Sequence, residues 1–133
     1  MGARIAGTVV CLCRALLCVL RRQSRVGLYG RGAYFAERAL YSHTSYSHRA
    51  AGGTRKLVLA RDLCGSGMEM GTTTDPTLVK APPGYHSVHG GPHKVRSAHP
   101  NATASSMWVV YDRAQSYPAF VVTYSVRKLA MVW

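Results

Sequence analysis

Residues 29–46 read YGRGAYFAERALYSHTSY, and this stretch decides the fold of the chain. It opens with a glycine turn at 30–32 and continues into four small or aromatic residues, 33–36, which favour a strand. From 37 to 46 the composition is helical, with apolar residues three or four positions apart. The stretch therefore predicts a turn, a short strand and a helix that carry several hydroxyl groups and aromatic rings at short spacing.

Working outward, apolar runs at 56–61, 107–111 and 119–124 each predict a further strand. Residues 65–105 are rich in glycine and proline and have little periodicity, which predicts a long loop region. Strands dominate over helices, and no internal repeat is present. The predicted fold is therefore an α+β domain built mainly of antiparallel strands with short helices.

The composition fits one basic globular domain. The chain has 133 residues, of which 47% are hydrophobic, and a formal charge of +12 from 17 Lys and Arg against 5 Asp and Glu. A charge of this size suits an anionic ligand or polymer but does not specify a fold. The four cysteines include no CxxC pair, so neither a zinc site nor a disulfide framework is expected.

The first 24 residues differ in composition from the rest and are interpreted as a separate leader. They contain no acid, and Arg14 interrupts their apolar run, which makes a membrane span or a secretory signal a poor fit. An arginine-rich, acid-free segment is typical of a mitochondrial transit peptide. The alternative that we favour is an unrelated or mis-predicted leader, followed by a domain at 25–126 and a tail at 127–133.

Four segments together resemble the catalytic domain of the poly(ADP-ribose) polymerase family. They are the tyrosine motif at 29–46, the strand at 56–62, the Tyr-His-Ser-Val step at 85–88 and the paired strands at 105–125. Their order is that of the family. The resemblance implies an ADP-ribosyltransferase-like split antiparallel sheet, of which this chain holds the C-terminal part and lacks the N-terminal side.

The resemblance also implies a chemistry. Family members cleave the nicotinamide–ribose bond of NAD⁺, which acts as a substrate, and transfer ADP-ribose to an acceptor; no metal is expected. Tyr34 matches the tyrosine of the family's His–Tyr–Glu triad, Ser42 the serine that binds the carboxamide, and Tyr46 a stacking ring. The segment implied to bind nicotinamide comprises these positions and their neighbours in the motif: Gly32, Ala33, Tyr34, Phe35, Ala36, Ser42 and Tyr46.

Two departures from the family pattern concern activity. Met107 occupies the position of the family's catalytic glutamate, and a thioether carries no charge and accepts hydrogen bonds weakly. Members with an apolar residue there resemble mono-ADP-ribosyltransferases. The triad histidine should precede Tyr34, but all six histidines follow it, so we expect the chain alone to be inactive.

Three functions therefore compete. The first is a mono-ADP-ribosyltransferase domain that uses NAD⁺ and acts on an acceptor protein. The second is an inactive transferase fold kept as a binding module. The third, motivated only by the charge of +12, is a nucleic-acid-binding protein, and the scattered basic residues make it the weakest. No membrane span is expected, and a nuclear or cytoplasmic site is favoured over a mitochondrial one.

Overall fold

The computed structural model describes residues 5–11, 27–94 and 104–126. This part of the chain forms one eight-stranded sheet with one short α-helix. The strands are β1 (Ile5–Cys11), β2 (Ala33–Ala36), β3 (His48–Arg49), β4 (Thr54–Leu63), β5 (Gly67–Gly71), β6 (Ser87–His93), β7 (Ser105–Val110) and β8 (Ser116–Ser125), and the helix is α1 (Ala39–Tyr46). The α+β class predicted from the sequence is confirmed.

Strand β2 lies near the middle of the sheet, between β1 and β7. The sheet order is β3-β4-β1-β2-β7-β6-β5, with β8 paired to β4. The pairs are antiparallel except for β5 and β6, which run parallel. Strands β2 and β7 are both flanked by other strands of the sheet. Their side chains pack on both faces of the sheet, and each face contributes to a separate core cluster.

The alternation of side chains along β2 and β7 divides the core in two. Phe35 of β2 and Val110 of β7 pack on one face with Val58 and Ala60 of β4. The opposite face holds the second cluster, whose buried members are Tyr29, Ala36, Tyr41, Val88, Met107 and Val109. Since successive residues of a strand point to opposite faces, the four-residue run of β2 supplies both clusters.

The helix begins two residues later than the sequence predicts. Helical composition starts at residue 37, but α1 begins at Ala39. The backbone N–H of Glu37 donates to the Ser106 carbonyl oxygen at 3.1 Å, and that of Arg38 donates to Ser105 Oγ at 3.1 Å. These bonds to β7 hold residues 37 and 38 in the sheet, so the helix can form only after them.

The prediction of a loop throughout 65–105 was wrong, because two strands form there. Strand β5 pairs with β6, and β6 pairs in turn with β7. The sequence of β6, SVHGGPH, has two glycines and a proline, which are depleted in strands. Its extended form depends on pairing with the apolar strand β7, a tertiary contact that local composition does not reveal.

The N-terminal segment supplies a strand to the domain. β1 pairs with β2 through Val10 and Cys11 and with β4 over most of its length. The expected boundary at residue 24 lies outside the described residues and stays a prediction, as does the tail at 127–133. In the part of the chain that the structure describes, no helix is long and apolar enough to cross a membrane.

Candidate functional site

The tyrosine motif begins with a tight turn that packs on the Tyr34 ring. Gly27 and Gly30 exchange two backbone hydrogen bonds, of 3.1 and 3.2 Å. The Tyr34 hydroxyl accepts from the Tyr29 backbone N–H at 2.9 Å and donates to the Gly30 carbonyl oxygen at 2.8 Å. A Cβ on Gly27 would lie 2.5 Å from that hydroxyl. The turn and the Tyr34 side chain therefore fix each other's position.

The two glycines of the Gly-x-Gly turn are needed for different reasons. Gly30 has a φ of +76°, a conformation that side chains other than glycine rarely adopt, and a Cβ there would lie 1.9 Å from the Leu78 carbonyl oxygen. Gly32 has no such φ, but its Cβ would lie 2.2 Å from Val109 Cγ1. Gly32 thus lets the strand that carries Tyr34 approach β7 closely.

Tyr34 and Met107 lie on the same face of neighbouring strands. Tyr34 is opposite Val109, and Ala36 is opposite Met107. This register makes Tyr34 and Met107 diagonal neighbours, a relation that places Cα atoms about 7–8 Å apart. The structure thus brings together the two predicted catalytic positions on adjacent strands.

Met107 itself is part of the core. Its side chain is only 3% exposed and packs in the cluster that contains Tyr29, Tyr41, Val88 and Val109. These neighbours are aromatic or aliphatic, so the position that the resemblance assigns to a glutamate is filled here by an apolar contact. Met107 contributes packing at this position and offers no charge.

Helix α1 adds Tyr41, Ser42 and Tyr46 to the same region. Tyr41 is buried and Ser42 is completely buried, whereas Tyr46 is 38% exposed. The rings of Tyr41 and Tyr46 stack, with centroids 5.9 Å apart and an angle of 29° between planes. Tyr34 packs against the core cluster that contains Tyr41, so the stacked pair of Tyr41 and Tyr46 connects the helix to Tyr34. The helix therefore presents one accessible ring beside buried hydroxyl groups.

We refer to Tyr29, Tyr34, Tyr41, Tyr46 and Tyr111 together as the tyrosine face. Burial raises the pKa of Tyr34 to about 12 and that of Tyr41 to about 12. Burial also raises the pKa of Tyr29 and of Tyr111. The phenols of Tyr29, Tyr34, Tyr41 and Tyr111 therefore stay neutral at physiological pH. They are not suited to act as general bases.

Comparison with known proteins agrees with this geometry. The sequence profile described as "Poly(ADP-ribose) polymerase catalytic domain" matches residues 1–105 of the chain. The chain belongs to that family. Protein mono-ADP-ribosyltransferase PARP4 of Homo sapiens is 36% identical to it over 96 residues, which cover 67% of this chain. The aligned part is 6% of the length of that relative.

The family match includes residues that the sequence interpretation left outside the domain. It begins at residue 1, and β1 lies within it. The structure adds that β1 pairs with β2, the strand of Tyr34.

The remaining residues expected to bind nicotinamide divide between the two faces of β2. Ala36 lies on the same face as Tyr34, whereas Ala33 and Phe35 pack in the opposite cluster. Phe35 is 1% exposed and contacts the core around Val58 and Ala60. Ala33 and Phe35 therefore pack on the face of β2 opposite Tyr34 and stabilise the strand there.

Two tyrosines of the face were given no role from the sequence. The Tyr29 hydroxyl donates to the Gly71 carbonyl oxygen and lies 2.6 Å from His93 Nε2. The Tyr111 hydroxyl donates to the Tyr29 carbonyl oxygen at 2.7 Å. Both contacts join residues far apart in the sequence, so only the abundance of tyrosine in the chain could have indicated them.

No metal centre is formed among the described residues, where no group of three His, Cys, Asp or Glu side chains could hold an ion. Four histidines, at 86, 89, 93 and 99, lie close together in the sequence. The three that the structure describes have separate partners. His86 Nδ1 accepts from the Ser66 backbone N–H, His89 bridges Glu37 and Glu69, and His93 contacts Tyr29. His99, the fourth, lies outside the described residues.

Proposed function

We propose that this domain transfers ADP-ribose from NAD⁺ to an acceptor protein, releasing nicotinamide, and that it adds single units. Membership of the poly(ADP-ribose) polymerase catalytic domain family supports the reaction class. The observation that carries the proposal is the tyrosine face, on which the motif brings Tyr34, Tyr46 and the helix bearing Ser42 together. NAD⁺ enters as a substrate, and the reaction requires no metal.

The tyrosine face fits the nicotinamide end of NAD⁺. Nicotinamide is a flat ring that carries a positive charge while it is bonded to ribose, and aromatic faces attract such cations. Tyr46 is the partly exposed ring against which it can stack. The family resemblance assigns the carboxamide to Ser42, whose hydroxyl is completely buried, so binding there requires neighbouring side chains to move. Tyr34 positions the turn, because its hydroxyl is engaged by residues 29 and 30.

Transfer of single units rests on Met107. Elongation of an ADP-ribose chain requires a group that activates the hydroxyl of the previous unit, and a carboxylate suits that role. Met107 cannot accept a proton, and its neighbours in the core cluster are apolar or neutral aromatic residues. The tyrosine face therefore supplies binding and orientation but no base for elongation.

A second candidate function is a binding module that holds NAD⁺ or ADP-ribose without reaction. The same observation favours it, because a buried methionine replaces the charged group that would stabilise the developing positive charge on ribose. The two functions differ in whether nicotinamide is released.

Because no histidine precedes Tyr34, we expect the 133-residue chain alone to release no nicotinamide. The test is therefore incubation with NAD⁺ of the chain joined to the histidine-bearing N-terminal part of a family member's catalytic domain, followed by measurement of free nicotinamide and of the length of the attached product. We expect single ADP-ribose units and release that falls about tenfold in Ser42→Ala, the loss of about one hydrogen bond. Ser125→Ala, an exposed serine at the end of β8, is the matched control.

The outcomes separate the candidates. Long ADP-ribose chains would contradict transfer of single units. Bound NAD⁺ without nicotinamide release would favour the binding module. Release that Ser42→Ala leaves unchanged would exclude the tyrosine face as the site.

A further inference from the structure

A groove of about 700 Å³ opens at the far end of β7, between the loop at 79–86 and the turn that follows Tyr111. Its walls include Lys80, Tyr85 and His86 on one side and Tyr111, Arg113 and Gln115 on the other. The volume is within the range of small-molecule sites, about 300–1,000 Å³. Tyr111, a member of the tyrosine face, lines this groove, but none of the residues that the sequence motif assigns to nicotinamide does.

The lining combines positive charge with aromatic rings. Lys80 and Arg113 both line the groove and are exposed, and Tyr85 in the same lining is 42% exposed. Asp112, the acid in the lining, already accepts a hydrogen bond from the Ala114 backbone N–H at 2.9 Å. Two cations in one lining favour a phosphate group, and tyrosine rings favour a flat base.

The polar groups of one wall are held in place. Gln115 Nε2 donates to the Leu63 carbonyl oxygen at 3.0 Å and to the His86 carbonyl oxygen at 2.9 Å, which connects the two walls. His86 Nδ1 accepts from the Ser66 backbone N–H at 3.1 Å, so in the neutral imidazole the proton is on Nε2. His86 thereby contributes a hydrogen-bond donor to the lining.

Both walls of the groove also contact the turn of the tyrosine motif. Next to Val79, the Leu78 carbonyl oxygen accepts from the Arg31 backbone N–H at 2.8 Å. On the other wall, the Tyr111 hydroxyl donates to the Tyr29 carbonyl oxygen at 2.7 Å. Any ligand that changes the separation of the walls therefore acts on residues 29–31, which position Tyr34.

We propose that this groove is a second binding site, for a free nucleoside diphosphate, and that its occupancy is coupled to the tyrosine face through Leu78 and Tyr111. The base stacks on Tyr85, and the diphosphate bridges Lys80 and Arg113. This site is separate from the one that holds the nicotinamide of NAD⁺. Failure of either proposal leaves the other standing.

The test is calorimetric titration of the chain with ADP, with inorganic phosphate as the probe that lacks a base. We expect ADP to bind more tightly than phosphate, and Lys80→Glu to weaken ADP binding about tenfold or more, the effect of losing a charge-assisted contact. Tyr85→Ala should weaken ADP binding but not phosphate binding. Arg49→Glu, on the exposed strand β3, makes the same change in net charge and should leave ADP affinity unchanged.

Nuclear magnetic resonance then tests the coupling. ADP should shift the backbone amide signal of Arg31, whose N–H is bonded to Leu78, and nicotinamide should not displace ADP. Ser42→Ala should leave ADP affinity unchanged, whatever its effect on the transferase reaction. The proposal is overturned if ADP binds no better than phosphate, if Arg49→Glu weakens it as much as Lys80→Glu, if the Arg31 signal does not respond, or if nicotinamide competes with it.

Discussion

At the scale of single residues, Asp62 makes stability depend on pH. Its side chain is 1% exposed, and within the described part of the chain neither carboxylate oxygen has a hydrogen-bond partner. Desolvation raises the pKa of Asp62 to about 6, against a smaller opposing effect of Ser116. Because the folded-state pKa lies above the unfolded one, the stabilisation by protonated Asp62 is complete below about pH 4. It is lost as the pH rises through about 6.

We predict that Asp62→Asn removes this dependence. Relative to the variant, the wild type should lose about 2–3 kcal/mol of unfolding free energy between pH 4 and pH 7, since one pKa unit corresponds to about 1.4 kcal/mol. Urea denaturation at a series of pH values measures the difference. Asp112→Asn, an exposed acid, is the control. A constant difference between wild type and Asp62→Asn across this range would show that Asp62 is not buried as described.

A second prediction concerns the contact of Gly32 with Val109. Gly32→Ala should lower the unfolding free energy by about 1–3 kcal/mol, because the new Cβ would lie 2.2 Å from Val109 Cγ1. Val109→Ala removes that methyl group and should relieve the clash. In a double-mutant cycle, the double variant should lose less unfolding free energy than the sum of the two single losses, by at least about 0.5 kcal/mol. Simple additivity would contradict the close approach of β2 and β7.

The residues of the site differ in how far the sequence could identify them. The resemblance of 29–46 to the family motif indicated Tyr34 and Tyr46, and the structure links the two through Tyr41, which shares a core cluster with Tyr34 and stacks on Tyr46. That these residues and Ser42 bind nicotinamide stays a prediction. No sequence pattern predicted that Asp62 is buried, because it is buried where β4 pairs with Ala6 of β1 and Ser116 of β8.

At the scale of secondary-structure elements, Arg55 joins β4 to the end of α1. Its Nη1 donates to Ser47 Oγ at 2.8 Å and to the His43 carbonyl oxygen at 3.3 Å. Arg55→Met keeps much of the side-chain length but removes both donors. It should lower the unfolding free energy by about 1.5–3 kcal/mol, the net value of hydrogen bonds to a charged group.

Urea denaturation of Arg55→Met, with Arg49→Met as the control, measures this link. Arg49 is exposed in β3, and its replacement should change the unfolding free energy by no more than about 0.5 kcal/mol. Equal effects of the two substitutions would mean that the arginine bonds do not hold the helix end.

Some strands could be predicted from their own sequence, and others could not. Strand β2 has the predicted bounds, 33–36, because its residues are small or aromatic and a glycine turn precedes it. The strands predicted at 56–61, 107–111 and 119–124 are present as β4, β7 and β8 with slightly different ends. Strands β5 and β6 were missed, since β6 forms by pairing with β7 and β5 by pairing with β6.

At the scale of the whole molecule, β8 leaves apolar side chains exposed. Tyr117, Phe120 and Val121 are 68%, 61% and 55% exposed, and among the described strands β8 pairs only with β4. An apolar edge strand without charge favours association between molecules. Phe120→Lys should reduce concentration-dependent light scattering while it changes the unfolding free energy by about 0.5 kcal/mol or less.

The matched control for this prediction is Lys80→Arg, which alters an exposed residue away from β8 and keeps its charge. Unchanged scattering of Phe120→Lys would show that β8 is not an association surface. A large loss of stability would show that Phe120 is packed in the folded chain.

The overall architecture was predictable to the level of class and family. The order of the motifs indicated the family, and the profile match and the sheet agree with it. The sequence could not show that Met107 is buried in a core cluster, because that depends on the register of β2 with β7.

The central claim is that the tyrosine face holds the nicotinamide end of NAD⁺, and titration of the chain with nicotinamide, followed by nuclear magnetic resonance, tests it most directly. We predict shifts of the backbone amide signals within 41–46 that Tyr46→Ala abolishes and that Tyr117→Ala, on exposed β8, leaves intact. Shifts confined to other parts of the chain, or unaffected by Tyr46→Ala, would contradict the claim.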